Sequence, residues 1–297
     1  MGNSALLYFK AEEQFAQDLA KLIGSTAYLI MRHDFPDGEF KLQLPPALPL
    51  RAVIFHTLDH PNEKLIELLF AARAARQLGV MHLTLIAPYL AYMRQDIAFV
   101  PGEVVSQKII GDLLASLFDA VITVDPHLHR VSKLEEAIPV RRAITLSAAP
   151  LLGELAISRR ANPFLIGPDG ESEQWLAQAA LKHHLDYAVA HKLRHGDRQV
   201  EITLPSVNFF GRSVVLLDDI ASSGNTLAAA TRLLLTAGAK TVDVAVTHAL
   251  FDSNALDLIK AAGVSEIWST DCISHASNAV SVLPLIAEAF LGTSNCP

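Results

Sequence analysis

Cysteine is almost missing from this 297-residue chain, which has only Cys272 and Cys296. Two cysteines make neither a disulfide framework nor a zinc cluster, and they fit a reducing compartment. Long apolar runs are missing as well. The longest, AVSVLPLIAEAFL (279–291), contains Pro284 and Glu288 and is too short to span a bilayer. The opening residues, MGNSALLYFKAEEQ, have no basic stretch followed by a long apolar one, so no secretory signal is expected. Gly2 loosely fits a myristoylation signal, but the sixth residue is Leu6 and that reading is set aside. Positive charge is scarce: 24 Lys and Arg stand against 31 Asp and Glu, a net −7. General binders of nucleic acid or anionic membrane are usually basic, so both classes start low, although the balance says nothing about one local basic pocket.

What is present is core material. Hydrophobic residues make up 51% and charged residues 19%, with a mean hydropathy of +0.30. That excludes disorder as the main state. At about 150 residues per domain, the length suggests two domains. The expectation is a soluble, cytoplasmic protein with neither a membrane nor a nucleic-acid partner.

Short β-rich runs alternate with amphipathic stretches. Residues 52–57, 83–87, 120–124, 164–167, 187–190, 213–217 and 242–246 read as strands. Between the first two, Asn62 can cap a helix with Leu65, Leu68, Leu69 and Ala72 inward and Gly79 past its end. Ser106 can cap another with Ile109, Ile110, Leu113, Leu114 and Leu117 inward. Further helices fit 172–183, 225–237, 254–262 and 281–291, and the polar alternation of 198–204 reads as an exposed strand or flap. The sum is an α/β protein with mostly parallel sheets flanked by helices. SAAP (147–150) marks the boundary, giving domains 1–145 and 146–297. A weak internal echo pairs 52–69 with 164–179 and 120–127 with 214–221.

The strongest local signal is VVLLDDIASSGNTLAAATRLLL (214–235): a buried strand, two acids, a small-residue loop and a helix. Asp218 and Asp219 fall at the carboxyl end of a strand, where open α/β sheets bind ligands. Paired acids there accept from vicinal sugar hydroxyls or help hold a divalent cation. Ser222, Ser223, Gly224, Asn225 and Thr226 let backbone N–H groups approach a phosphate at a helix N-terminus, and their hydroxyls add donors. Together these describe a ribose-5-phosphate site. The plain alternative is a strand-to-helix turn, against which stands the cost of two adjacent acids after four apolar residues.

This stretch resembles the signature of the type I phosphoribosyltransferase fold, although many relatives have an acid at the Ser222 position and Gly at the Asn225 position. FPDGE (35–39), YMRQD (92–96), VDPHLH (124–129), GPDGESEQW (167–175) and HKLR (191–194) follow in register. With them the chain resembles the ribose-phosphate pyrophosphokinase family, in its archaeal-type branch. The resemblance implies two tandem phosphoribosyltransferase-like domains, the first giving nucleotide contacts and a subunit interface, the second the ribose-5-phosphate loop. No G-x-x-x-x-G-K-[ST] loop and no G-x-G-x-x-G turn occurs, and that family needs neither.

Each segment also has its own physical reading. Phe35 can stack on a base while Asp37 and Glu39 accept from an exocyclic amine; a turn at Pro36–Gly38 is the bland alternative. The resemblance places this segment on the adenine of ATP held by a neighbouring subunit. Arg94 offers a fork for phosphate and Gln95 can bond a base edge, with Asp96 beside them, or the three form a solvated loop. The mobile catalytic loop of the family follows, here IAFVPGE (97–103) without basic residues. His127 is placed by the resemblance near ATP-bound magnesium, with a structural histidine as the alternative, and Asp169 at a magnesium ion on the pyrophosphate side; Gly170 permits a tight turn there, and Glu171 and Ser172 start a helix, where a plain capping role fits them. Lys192 and Arg194 share one face of a strand, as two transition-state cations or as a basic hairpin end. In the family the catalytic lysine and arginine fall here.

The implied activity is transfer of the diphosphoryl group of Mg-ATP to ribose 5-phosphate, with Mg2+ as cofactor and a homo-oligomer of at least two copies. Two alternatives share parts of the pattern: a phosphoribosyltransferase, and a catalytically silent homologue with a regulatory role.

Overall fold

The computed structural model describes residues 4–195 and 199–294, and of 192–195, 199–201 and 293–294 the backbone only. The chain divides into two compact units. One runs up to Leu146 and takes in the chain from Leu283 on; the other is Ser147–Val282. The sequence reading carried the second domain to residue 297, whereas the last helix packs with the first unit.

The first part of the chain forms β1 (Ser4–Tyr8), α1 (Glu13–Ile23), β2 (Thr26–Leu29), β3 (Met31–Asp34), β4 (Phe40–Gln43), β5 (Arg51–Phe55), α2 (Pro61–Gln77), β6 (His82–Ile86), α3 (Ser106–Leu117), β7 (Ala120–Val124), α4 (Leu134–Ala137) and β8 (Arg142–Leu146). Then come α5 (Ala149–Arg159), β9 (Phe164–Gly167), α6 (Glu173–Leu181), β10 (Tyr187–Val189), β11 (His191–His195), β12 (Gln199–Thr203), β13 (Ser213–Ala221), α7 (Asn225–Thr236), β14 (Thr241–Ala249), α8 (Ser253–Ala261), β15 (Ile267–Thr270), β16 (Asn278–Val280) and α9 (Leu283–Ser294).

Each unit holds a six-stranded sheet, ordered β2-β1-β5-β6-β7-β8 in the first and β10-β9-β13-β14-β15-β16 in the second. Every pair within both sheets is parallel. Parallel strands are covered on both faces, which is why the central runs are apolar throughout. Leu6, Leu7, Val53, Ile54, Leu83 and Leu85 fill one core, and Leu165, Ile166, Val214–Leu217 and Val244 the other.

Counted within its own unit, each sheet has the same strand order, 2-1-3-4-5-6. Each also carries an antiparallel ribbon after its second strand, β3–β4 in one and β11–β12 in the other. This shared plan is the duplication, but the sequence echo paired the wrong segments. It matched β5 with β9, a third strand with a first, and β7 with β13, a fifth with a third. The topological partners are 4–23 with 164–181, and 51–77 with 213–236. β1 and α1 had no place in the sequence reading, so the register of the echo slipped.

Three local expectations are corrected. α2 is capped by His60 in the left-handed region with Pro61 at the first helical position, while Asn62 accepts from the Tyr92 hydroxyl. α3 starts on Ser106 and is preceded by Val105, with no side-chain cap. Its buried face is Gln107, Gly111, Leu114 and Leu117, leaving Ile109 exposed. The rotation follows from Gly111, where a methyl group would overlap the carbonyl oxygen of Ala137. Among the described residues, no helix is long and apolar enough to cross a membrane. Cys272 is buried, and Cys296 lies outside the described residues.

Close helix packing recurs in the second unit, where a Cβ on Gly153 of α5 would collide with the carbonyl of Ala179 in α6. Gly153→Ala is expected to destabilise the protein by on the order of 1–3 kcal/mol through overpacking. Gly292→Ala, at a helical position with open space around it, is expected to be neutral or to stabilise by up to about 1 kcal/mol. Denaturant melts of the two variants check this.

Candidate active site

The sheet of the second unit reverses its order of growth between β9 and β13. One strand is followed by β10 on its outer side, the other by β14 on the opposite side. Ligands of open α/β sheets bind in the crevice beyond the carboxyl ends at such a switch point. The loop that leaves β9 carries Asp169. The strand read from the sequence as ending at 217 runs on to Ala221, so Asp218 and Asp219 lie within β13, and the loop Ser222–Gly224 joins it to α7 with Asn225 and Thr226 in the first turn.

Asp219 is buried and Asp218 half-buried, and the Asp219 amide donates to Asp218 Oδ1 at 3.0 Å. Burial pushes the Asp218 carboxyl well above the usual range, and the neighbouring charges of Asp219 and Asp169 push it further. The site therefore holds its acids against their own repulsion. Hydroxyl donors or a cation relieve that repulsion.

The loop then opens α7. Gly224 sits in the left-handed region at φ +72°, and a Cβ there would stand 3.0 Å from Ile259 and 3.1 Å from the Ala255 carbonyl. A side chain at 224 is thus excluded on two counts. No side chain caps α7. Asp252 does cap α8, accepting from the Ala255 amide at 2.9 Å. The first-turn amides of α7 are left as free anion donors. Ser222, Ser223 and Asn225 are exposed around them, Asn225 Nδ2 donating to Ser223 Oγ at 3.2 Å, and Thr226 is half-buried.

Asp169 accepts from the Glu171 amide at 3.2 Å and so caps the short turn Gly170–Ser172. The sequence reading gave the capping role to Glu171 and Ser172. Ser172 is instead buried, its hydroxyl donating to the Asp169 carbonyl at 2.5 Å. It fills the space where a Cβ on residue 167 would lie, which explains Gly167. Lys192 and Arg194 fall on β11, paired with Ile202 and Val200, so both positions lie on one face of the ribbon. Their side chains lie outside the described residues.

The remaining expected residues belong to the first unit. Phe35, Asp37 and Glu39 form the exposed tip of the β3–β4 ribbon. The Phe35 amide donates to the Glu39 carbonyl at 2.8 Å and the Glu39 amide to Asp37 Oδ1 at 3.1 Å. The turn is real, and it leaves the Phe35 ring 39% exposed. Arg94 is exposed on the loop after β6. Gln95 donates to the Ile97 carbonyl at 3.1 Å, and the Asp96 carboxylate accepts from Arg130 at 2.6 Å. The loop 97–103 has its own clamp, the Phe99 amide donating to Glu103 Oε2 at 2.6 Å, and Arg130 stands 5.9 Å from the Phe99 ring. His127 follows β7, with its ring edge-on to His129 at a centroid distance of 3.8 Å.

A network absent from the sequence reading occupies the matching position of the first unit. Buried His56, just past β5, bonds Glu12 through Nδ1 at 2.9 Å and Glu67 through Nε2 at 2.9 Å, and Arg32 donates to Glu67 at 2.5 Å. Burial works against the charged ring, but the two carboxylates outweigh it and raise the His56 pKa. His56, Arg32 and Glu67 border a cavity of about 1100 Å3. His60 precedes α2 with φ +49°, the counterpart of left-handed Gly224 before α7. The paired acids have no counterpart there. Only contacts distant in sequence, such as residues 12, 32, 56 and 67, reveal the network.

Asp218→Asn keeps the oxygen that accepts from Asp219 but removes one of the crowded charges. A carboxyl raised on folding makes stability fall as pH climbs from the ordinary carboxylate range through the raised one. In metal-free buffer, the melting temperature of Asp218→Asn is expected to exceed that of wild type near pH 7, with the gap closing towards about pH 4. Thermal melts across that range measure it.

Comparison with known proteins agrees with the topology. Residues 4–117 match the model for the N-terminal domain of ribose phosphate pyrophosphokinase, and residues 142–279 the phosphoribosyl transferase domain. The chain is 36% identical to ribose-phosphate pyrophosphokinase of Methanopyrus kandleri over 86% of this chain and 87% of that protein. It is 34% identical to ribose-phosphate pyrophosphokinase 2 of Archaeoglobus fulgidus, over 86% and 88%. The crystal structure of phosphoribosylpyrophosphate synthetase from Mycobacterium smegmatis shares the fold with a TM-score of 0.84 at 23% identity, covering 98% of this chain and 99% of that one. With a matching domain model on each half and relatives above 30% identity along most of its length, the chain belongs to the ribose-phosphate pyrophosphokinase family.

Proposed function

We propose that the protein transfers the β,γ-diphosphoryl group of Mg-ATP to the 1-hydroxyl of ribose 5-phosphate, giving phosphoribosyl pyrophosphate (PRPP) and AMP. The observation that carries this is the switch-point segment: β13 holds two adjacent acids and ends at Ala221, and after Ser222–Gly224 comes the start of α7, whose N-cap Gly224 offers no side-chain cap. In this reading Asp218 and Asp219 accept from the ribose hydroxyls. The 5-phosphate lies on Ser222, Ser223, Gly224, Asn225 and Thr226 and the first-turn amides of α7.

The 1-oxygen attacks the β-phosphorus, the bond from that phosphorus to the α,β-bridging oxygen breaks, AMP leaves, and the 1-hydroxyl proton is lost. Such transfer needs positioning and charge neutralisation more than covalent chemistry. Lys192 and Arg194 on β11 supply cations to the migrating group. Phe35, Asp37 and Glu39 hold the adenine of ATP bound to a second copy, with Arg94, Gln95 and Asp96 on the rest of the nucleotide. Asp96 is already engaged by Arg130, so in this set it fixes the loop that presents Arg94.

The donor set fits magnesium: Asp169 gives a hard carboxylate oxygen, and the crowding at Asp218 favours a cation close by. His127, in the first unit, would serve the magnesium carried by ATP. Magnesium supplies charge neutralisation on the diphosphate. The protein acts as a homo-oligomer of at least two copies, in the cytoplasm, where Cys272 stays reduced.

Incubation with magnesium, ATP and ribose 5-phosphate is expected to yield AMP and PRPP in equal amounts. Sugar-dependent ADP instead would mean a simple kinase and overturn the reading. Lys192→Ala is expected to lower turnover by about 10²-fold or more while the calorimetric affinity for ribose 5-phosphate changes little; wild-type turnover would remove Lys192 from the mechanism.

A further inference from the structure

The second unit has another cavity, of about 500 Å3, at the opposite edge of its sheet. Ser213 and Thr241, which start β13 and β14 and pair with each other, lie in its wall. Asp219 is six residues further along β13, roughly 20 Å away at the rise of a strand. No residue of the proposed active site lines this cavity.

Four cations do line it, Arg159, Arg160, Arg212 and Lys240, and no carboxylate does. Two of them are held from behind. Arg160 donates from Nε and Nη2 to the buried Asp243 carboxylate at 2.7 Å each, and to Glu266 at 2.8 Å. Arg212 donates to Asp186 at 2.7 Å and lies 4.5 Å above the Phe164 ring. Arg159 and Lys240 make no ion pair among the described residues. The walls are tied together, the Gly211 amide donating to Gly238 at 2.9 Å and the Lys240 amide to Arg212 at 2.8 Å. The buried Thr241 hydroxyl has no hydrogen-bond partner among the described residues. In a chain of net −7, an open pocket lined by four cations and no carboxylate, two of the cations being held in place by Asp243, Glu266 and Asp186, is a built feature.

We propose that this cavity is a second ligand site, taking a small anion that carries one or more phosphate groups. Guanidinium and ammonium donors match phosphate oxygens in geometry and charge; Arg160 spends its Nε–Nη2 fork on Asp243 and adds charge, while Arg159, Arg212 and Lys240 supply the donors. The volume suits a small molecule such as a diphosphate or a sugar phosphate. The inference rests on this cavity alone and stands apart from the reading of the active site.

Trp268 is a built-in reporter. Its ring is 5.6 Å from the Arg160 guanidinium, and its Nε1 donates to Glu266, which also holds Arg160. The chain has one other tryptophan, Trp175. In Trp175→Phe, without magnesium and at constant ionic strength, Trp268 fluorescence is followed while inorganic phosphate, and separately pyrophosphate, is added. A saturable change is expected with at least one of them, weakened tenfold or more in Arg159→Ala/Lys240→Ala. No saturable change, an equal change with chloride, or an undiminished response in the double variant would overturn the proposal. Should Trp175→Phe fail to fold, calorimetry of the same anions on the wild-type protein and on the double variant makes the same discrimination.

Discussion

Repulsion among Asp169, Asp218 and Asp219 is the constraint on which the rest of the second unit depends. A carboxyl as buried as Asp218, beside two like charges, costs stability unless a ligand answers it. The fold sets them there regardless, because β9 and β13 are neighbours whose carboxyl ends open on one crevice. Everything around the acids is rigid. Gly224 admits no side chain, Ser172 fills the gap under Gly167, and nine residues of β13 run deep through the sheet. In the proposed reading the arrangement is shaped for a ligand that brings hydroxyls, phosphate and a cation.

The first unit shows the same plan with opposite charges in place of like ones. It shares strand order, ribbon and even the left-handed residue before the third-strand helix. Where the second unit leaves acids crowded, the first pairs Glu12 and Glu67 with His56 and Arg32. Oppositely charged pairs stabilise a fold, whereas like charges crowded together are kept where binding needs them. In the proposed reading the second unit holds the sugar phosphate, and the first, built on the same plan, presents the Phe35 ribbon and the Arg94 loop.

The sequence made part of this legible. The strands at 120–124 and 164–167 and the helix at 225–237 were readable because buried parallel strands are continuous apolar runs between turn residues. The turn at Ser222–Gly224 was readable from its small residues, whereas the strand before it, read as ending at 217, runs on through both acids to Ala221. Other features depend on contacts that no local pattern carries. Arg160 meets Asp243 across 83 residues, and His56 meets Glu12 across 44. The buried face of α3 turned on how closely Gly111 approaches Ala137, and the return of α9 to the first unit on packing against α1.

The most direct test is a crystal structure of the protein with ribose 5-phosphate and magnesium. The account predicts the 5-phosphate on the amides that open α7, with ribose hydroxyls donating to Asp218 and Asp219. A sugar phosphate bound instead in the first-unit cavity beside His60 and Lys64, with residues 222–226 bare, would contradict it.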